Sequence, residues 1–352
     1  MPGVPVKPPA LRPGDTVAVV SSSWGGPSVF PGPYEAGVRV LRDVFGLDVV
    51  EAETARTHAD ELARNPRRRA EVMNALITDD EVKAIISTIG GDDSVRILPW
   101  LDTASALAHP TIVMGYSDTA AQLVAYHLAG LVTYDGSSAM SGFAQLENFP
   151  DAVAHTRAML FGEAASQRPY QLPAFERWTQ DRYDWDEPAN ASRVTGLRSN
   201  DGWRWLHGDR VSTGRLFGGC VEVLEFLKGT RWWPNDDPGW WRDRVLFLET
   251  SEKRPTIGQV RRWLRNYGSQ GVYEHAAALW IGRAYGYDDE QKKALDEAVV
   301  DIVVREFDGD LPIVANLDFG HTDPRWVLPL GITVETDPVQ RTLRVMESPT
   351  TS

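Results

Sequence analysis

The 352 residues carry 36 Lys and Arg against 49 Asp and Glu, a formal charge of −13. That balance argues against a nucleic-acid backbone or an anionic membrane as the main partner, because both attract clustered cations. Hydrophobic residues at 42% and charged residues at 24% are those of a soluble globular protein, and the length exceeds what one core usually serves, so about two domains are expected. The only cysteine, Cys220, excludes an intramolecular disulfide and cannot alone make a thiolate metal site, which fits a reducing cytoplasm.

The opening "MPGVPVKPPALRPGD" has no apolar core of signal-peptide length. No apolar run approaches the roughly 18 to 20 residues of a membrane helix, so the chain reads as soluble and unexported. Strands are predicted at 16–20, 47–50, 82–87, 111–114 and 131–134, and helices near 34–45, 66–78, 94–101 and 119–129. This alternation, with fully apolar strands, implies a mostly parallel sheet covered by helices on both faces. In such sheets ligands bind at the carboxyl ends of the strands. The segments 21–26, 87–94 and 115–118 ("SSSWGG", "STIGGDDS", "GYSD") occupy that edge.

From 162 to 210 the pattern gives way to a polar, Trp-rich and Pro-containing stretch, read as a loop or linker between an N-terminal domain (1–161) and a C-terminal domain (211–352). Eight of the 13 tryptophans fall between Trp178 and Trp241, where they can be core or a stacking surface. The second half opens with "STGRLFGGCVEVLEFLKGT", read as a glycine-rich turn leading into a helix. Strands are then predicted at 244–248, 277–281, 312–317 and 332–335, and helices near 255–267 and 288–306. The result is a second α/β domain.

Ser117 in "MGYSDTAAQL" lies just past a strand and just before a helix, where unpaired N–H groups can face a developing oxyanion. The same pattern suits an ordinary N-cap at Ser117 or Asp118. A serine nucleophile needs a base, and the base needs an orienting acid. Of seven histidines, His321 in "ANLDFGHTDP" is best placed, directly after a strand. Glu249 ends the apolar run "RVLFLE", where an unpaired carboxylate is costly; its alternative is a salt bridge to Arg244 or Lys253. Ser117, Glu249 and His321 thus end three separate strands.

The segments "STIGGDDSVRILPWLD", "MGYSDTAAQL", "GRLFGGCVEVL", "LFLETSEKRP" and "ANLDFGHTDP" resemble the successive motifs of the LD-carboxypeptidase family of serine peptidases, over about Pro8 to Thr336. The resemblance implies a flavodoxin-like N-terminal sheet, a nucleophile at Ser117, an acid at Glu249 and a base at His321. It also implies an oxyanion hole from the backbone of Gly91 and Asp118, no cofactor, no metal, and a homodimer.

The family has a murein-trimming branch and a branch resembling the microcin C immunity protein. The latter hydrolyses the amide between an aminoacyl or peptidyl carbonyl and a nucleotide phosphoramidate or sulfamate. The length of 162–210, the resemblance of Trp178 and Trp185 to a base-stacking loop, and Lys253 in "ETSEK" favour the second branch. The implied partner is an aminoacyl- or peptidyl-nucleotide. Cys220 stands where the family usually has Asn, which removes an amide that can hydrogen-bond substrate.

Overall fold

In the computed structural model, described over residues 4–163, 168–181, 184–234 and 237–352, two sheets carry the molecule. The first has six strands in the order Leu328–Leu330, Thr133–Asp135, Ile112–Gly115, Val82–Ser87, Thr16–Val20 and Asp48–Glu51. The last five are mutually parallel. Taken in chain order, the parallel strands run 2-1-3-4-5, the flavodoxin-like arrangement, whose topological switch point falls between Thr16–Val20 and Val82–Ser87. Their interior runs, such as "VAVV" and "AIIS", are buried on both faces. Burial on both faces is why these strands read as continuous apolar sequence.

The second sheet has eight strands in the order Tyr170–Gln171, Thr342–Val345, Thr333–Asp337, Ser212–Cys220, Arg244–Glu249, Ala278–Gly282, Ile313–Leu317 and Arg204–His207. Its four middle members from Ser212–Cys220 to Ile313–Leu317 are parallel, flanked by antiparallel strands. Leu328–Leu330 leaves this half of the chain and pairs antiparallel with Thr133–Asp135, binding the C-terminal half to the first sheet.

Three elements differ from the sequence expectation. The "glycine-rich turn" is a nine-residue strand, Ser212–Cys220, and the helix Val221–Leu227 begins only after it. Glycine weakens a strand signal, yet here it is required: a Cβ on Gly218 would run into the Phe247 carbonyl of the neighbouring strand. Residues 94–100 form a tight 3₁₀ turn rather than an α-helix, with Pro99 inside it. The described parts of 162–210 are not structureless. They supply both edge strands of the second sheet and a small hairpin pairing Arg177–Trp178 with Ser199 and Arg198. Residues 164–167 and 182–183 of that stretch lie outside the described residues.

The helix predicted at 288–306 is α-helical over Asp289–Val300 and widens into a π-turn at Asp301–Glu306. Among the described residues, no helix is long and apolar enough to cross a membrane.

Candidate active site

Strand Ile112–Gly115 is followed by extended Tyr116 and then by Ser117, which turns into a short 3₁₀ segment, Ser117–Thr119, ahead of helix Ala120–Ala129. Ser117 has φ 59°, the left-handed region that non-glycine residues seldom occupy. Such strain persists where the surroundings over-determine it, and it lifts the hydroxyl out of the sheet edge. Gly90, from the turn after Val82–Ser87, presses on Ser117 from the side. A Cβ built on Gly90 would lie 3.4 Å from the Asp118 backbone nitrogen, so the Gly90–Gly91 peptide and Asp118 share the space beside the serine. The missing side chain of Gly91 faces Ser23 and Trp24 instead.

Asp118 is 2% exposed and anchors this corner. Its carboxylate accepts from the Ser23 hydroxyl, from Asp93 N at 3.1 Å and from Ser94 N at 2.7 Å. Burial raises its pKa above the ordinary carboxyl value, with the hydrogen bonds from Ser23 and Ser94 pulling the other way. The effect is to lock the Gly90–Gly91 turn onto the segment that carries Ser117.

From the second sheet, Glu249 ends strand Arg244–Glu249 and His321 lies four residues past Ile313–Leu317. Because those strands are parallel with Ala278–Gly282 between them, their carboxyl ends meet at one edge. Glu249 Oε2 is 2.7 Å from His321 Nδ1, and His321 Nε2 is 3.0 Å from Ser117 Oγ. Glycine makes the approach feasible: Gly320, at φ 105°, and Gly282 both lie where a Cβ would crowd Glu249. The alternatives raised for Glu249 do not occur. Arg244 stacks on Trp240, and Lys253 pairs with Asp92.

The imidazole is buried, which opposes its charge, but the field and hydrogen bond of Glu249, with Glu252 and Tyr116, outweigh that cost and push its pKa up to about 10. Glu252 Oε2 approaches Nε2 at 3.0 Å, a contact that sequence reasoning passed over because Glu252 reads as a surface partner of Lys253. Tyr116, also missed, packs its ring 5.0 Å from that of His321 and donates to Ser141 Oγ at 2.7 Å. Arg325 lies over the Tyr116 ring at 3.9 Å.

A cavity of about 990 Å³ opens over Ser117 and His321, bordered further by Trp24, Phe30, Trp185 and Arg254. Both Gly90 and Gly91 border it. Trp185 is half-buried and meets Phe30 edge-on, with ring centroids 5.6 Å apart, leaving an aromatic wall to the cavity. Trp178 corrects the expectation of a stacking surface. It is 5% exposed, does not border the cavity, and packs under Arg283 and Arg198 at 4.7 and 5.3 Å. Its position in the hairpin opposite Arg198 turns the ring inward. Lys253 is exposed at the rim, tied to the cavity through Asp92. Cys220, 1% exposed, neighbours Glu249 in register, and burial raises its thiol pKa well above the ordinary value.

A hydroxyl, an imidazole and a carboxylate joined in that order, beneath a ligand-sized cavity, are the arrangement a serine hydrolase requires. Residues 17–136 match the LD-carboxypeptidase N-terminal domain and residues 213–336 the LD-carboxypeptidase C-terminal domain. The chain belongs to the LD-carboxypeptidase family of serine peptidases.

It is 26% identical over 340 residues to the microcin C7 self-immunity protein MccF of Escherichia coli, covering 96% of this chain and 94% of that one. It is 24% identical over 341 residues to a protein of Bacillus subtilis named a probable murein peptide carboxypeptidase, covering 96% and 93%. Its fold is similar to that of MccF in complex with glutamyl sulfamoyl guanosine, with a TM-score of 0.84, 26% identity and coverage of 99% and 100%. It is also similar to an MccF-like protein from Streptococcus pneumoniae in complex with AMP, with a TM-score of 0.80, 26% identity and coverage of 94% and 98%.

Proposed function

We propose that this chain is a serine hydrolase that cleaves the amide between an aminoacyl or peptidyl carbonyl and a nucleotide phosphoramidate or sulfamate, in detoxification of the microcin C type. The observation that carries the reading is the continuous contact from Glu249 through His321 to Ser117 at the base of a cavity walled by Trp185. Ser117 attacks the carbonyl carbon while His321 Nε2 takes its proton. Glu249 orients the ring through Nδ1 and offsets the positive charge that forms. The oxyanion is received by the backbone N–H groups of Gly91 and Asp118. His321 then hands the proton to the leaving nitrogen, and water, deprotonated by the same imidazole, releases the acyl group from Ser117.

Trp185 serves as the stacking face for the base, and Lys253 supplies charge at the phosphoryl or sulfamoyl group. Similarity to proteins whose structures hold sulfamoyl guanosine and AMP ligands supports the nucleotide half of the reading. The reading carries with it a homodimer acting in the cytoplasm.

A second reading, trimming of the terminal residue from a murein tetrapeptide, is favoured by Arg254 on the cavity wall, a cation able to hold a terminal carboxylate. Incubation with an aspartyl sulfamoyl adenosine and, separately, with a murein tetrapeptide, followed by mass spectrometry, distinguishes the two. Cleavage of the nucleotide conjugate alone is expected. Cleavage of the tetrapeptide alone overturns the proposal.

A further inference from the structure

The imidazole of His321 is held by carboxylates at both nitrogens. Glu249 takes Nδ1 at 2.7 Å, and Glu252 stands 3.0 Å from Nε2, the nitrogen that also meets Ser117 Oγ at 3.0 Å. The two acids differ in setting: the Glu249 side chain is 3% exposed and that of Glu252 50%. Glu249 is fixed at a strand end, whereas Glu252 sits in the exposed turn before helix Ile257–Ser269, followed by Arg254 at φ 50°. Glu252 borders the cavity, with its side chain half exposed there.

Its present position conflicts with the chemistry. Nε2 has to receive the serine proton and pass it to the leaving nitrogen, yet with a carboxylate against it Nε2 already holds a proton. That carboxylate also stands beside the place the leaving nitrogen must reach. The charged and titratable groups acting on His321 from the surrounding elements include Glu249, Glu252, Tyr116 and Asp135. Asp135 is buried and its pKa is raised well above the ordinary value, first by burial and then by Glu249, and Tyr116 is buried within its own hydrogen bond to Ser141. Of the four, Glu252 is the charge that a ligand entering from solvent can draw away.

An aminoacyl ligand brings the cation that does so. Backbone bond lengths and angles hold an α-nitrogen about 2.5 Å from its own carbonyl carbon. A carbonyl poised for attack lies about 3–3.5 Å from the nucleophile oxygen. Ser117 Oγ and Glu252 Oε2 each lie 3.0 Å from Nε2, so the ammonium enters the corner of the cavity that Glu252 occupies. Of the other acids nearby, Asp92 pairs with Lys253, Asp93 with Arg69 and Arg96, and Asp118 with Ser23 and Ser94. Asp181 and Asp184, which also border the cavity, accept from Thr195 Oγ1 and Asp186 N.

We propose that Glu252 recognises the free α-ammonium of the acyl half, and that its transfer from His321 Nε2 to that ammonium frees the imidazole to act as the base. The Nε2 proton passes to solvent water at the cavity mouth as Glu252 leaves. This rests on the aminoacyl-nucleotide reading and narrows it: acyl groups whose α-nitrogen is already an amide, as in peptidyl conjugates, leave Glu252 on His321 and react poorly. The high pKa of His321 agrees with the blocked state.

The test compares an aminoacyl sulfamoyl adenosine with its N-acetyl derivative, measuring kcat/KM against pH for the wild type and for Glu252→Gln. The wild type should prefer the free ammonium by roughly ten- to a hundredfold, the size of one charge-assisted hydrogen bond. In Glu252→Gln that preference should collapse to within about twofold. The rising limb for the N-acetyl derivative should move down by about one pH unit or more in the variant, since a neighbouring charge has been removed. The same preference in both proteins, or an unmoved limb, overturns the inference.

If the wild type cleaves neither compound, the functional reading falls, and nitrogen-15 NMR of His321 in the free protein decides the rest. Glu252→Gln should lower its titration midpoint by about one unit or more. A midpoint unchanged by the substitution overturns the role of Glu252.

Discussion

Gly90 touches Ser117 so closely that a methyl group in its place would lie 2.9 Å from the serine Cβ and 3.0 Å from Oγ. Side chains essentially never pack at that distance, so any larger residue must displace the hydroxyl from His321. Gly90→Ala should keep its circular dichroism spectrum and lose tenfold or more of kcat/KM, about 1.4 kcal/mol of transition-state stabilisation or beyond. Full activity in the variant contradicts the placement of the serine.

The Glu249–His321 pair sets the next expectation. Glu249→Gln is nearly isosteric but cannot offset an imidazolium, so kcat should fall by about two to four orders of magnitude while the protein still folds. Steady-state kinetics on the best substrate checks this. A loss under about tenfold would leave Glu249 a structural role only.

Stability should depend on pH through the same pair. The folded-state pKa of His321, about 10, lies above the ordinary 6.5, so its contribution is complete below 6.5 and drains away as pH rises through about 10. The Tm difference between wild type and His321→Gln should therefore shrink from about pH 6 to about pH 10. A difference that grows over that range contradicts the coupling.

Two tryptophans that look alike in the sequence should behave differently. Trp185→Ala should weaken binding of an aminoacyl nucleotide by about 1–3 kcal/mol, the size of one stack, with little effect on folding. Trp178→Ala removes a buried ring and should cost about 3–5 kcal/mol of stability, leaving the affinity of the folded fraction unchanged. Calorimetric titration and chemical denaturation separate the two, and equal effects on both readouts would mean that the cavity wall has been misplaced.

The contrast between these rings marks how far the sequence could be read. Apolar runs such as "TVAVV" and "VKAIIS" announce parallel strands because both their faces are buried, and residues ending such strands converge at one edge. That logic places Ser117, Glu249 and His321 at strand ends, and the resemblance to the LD-carboxypeptidases joins them into the one site in which they meet. It fails at Ser212–Cys220, where glycines demanded by close strand packing imitate a turn. It also fails for Trp178 and Glu252, whose roles depend on which way a side chain turns out of a hairpin or an exposed turn. Residue type alone does not encode that direction.

The most direct test of the central claim is mass spectrometry of the intact protein after exposure to a fluorophosphonate. A serine activated by His321 should take up one phosphonyl group over a prolonged exposure, mapped by peptide digestion to Ser117. Uptake should come sooner in Glu252→Gln, and Ser117→Ala should take up none. Equal labelling of Ser117→Ala, or labelling that maps to another residue, would contradict the account.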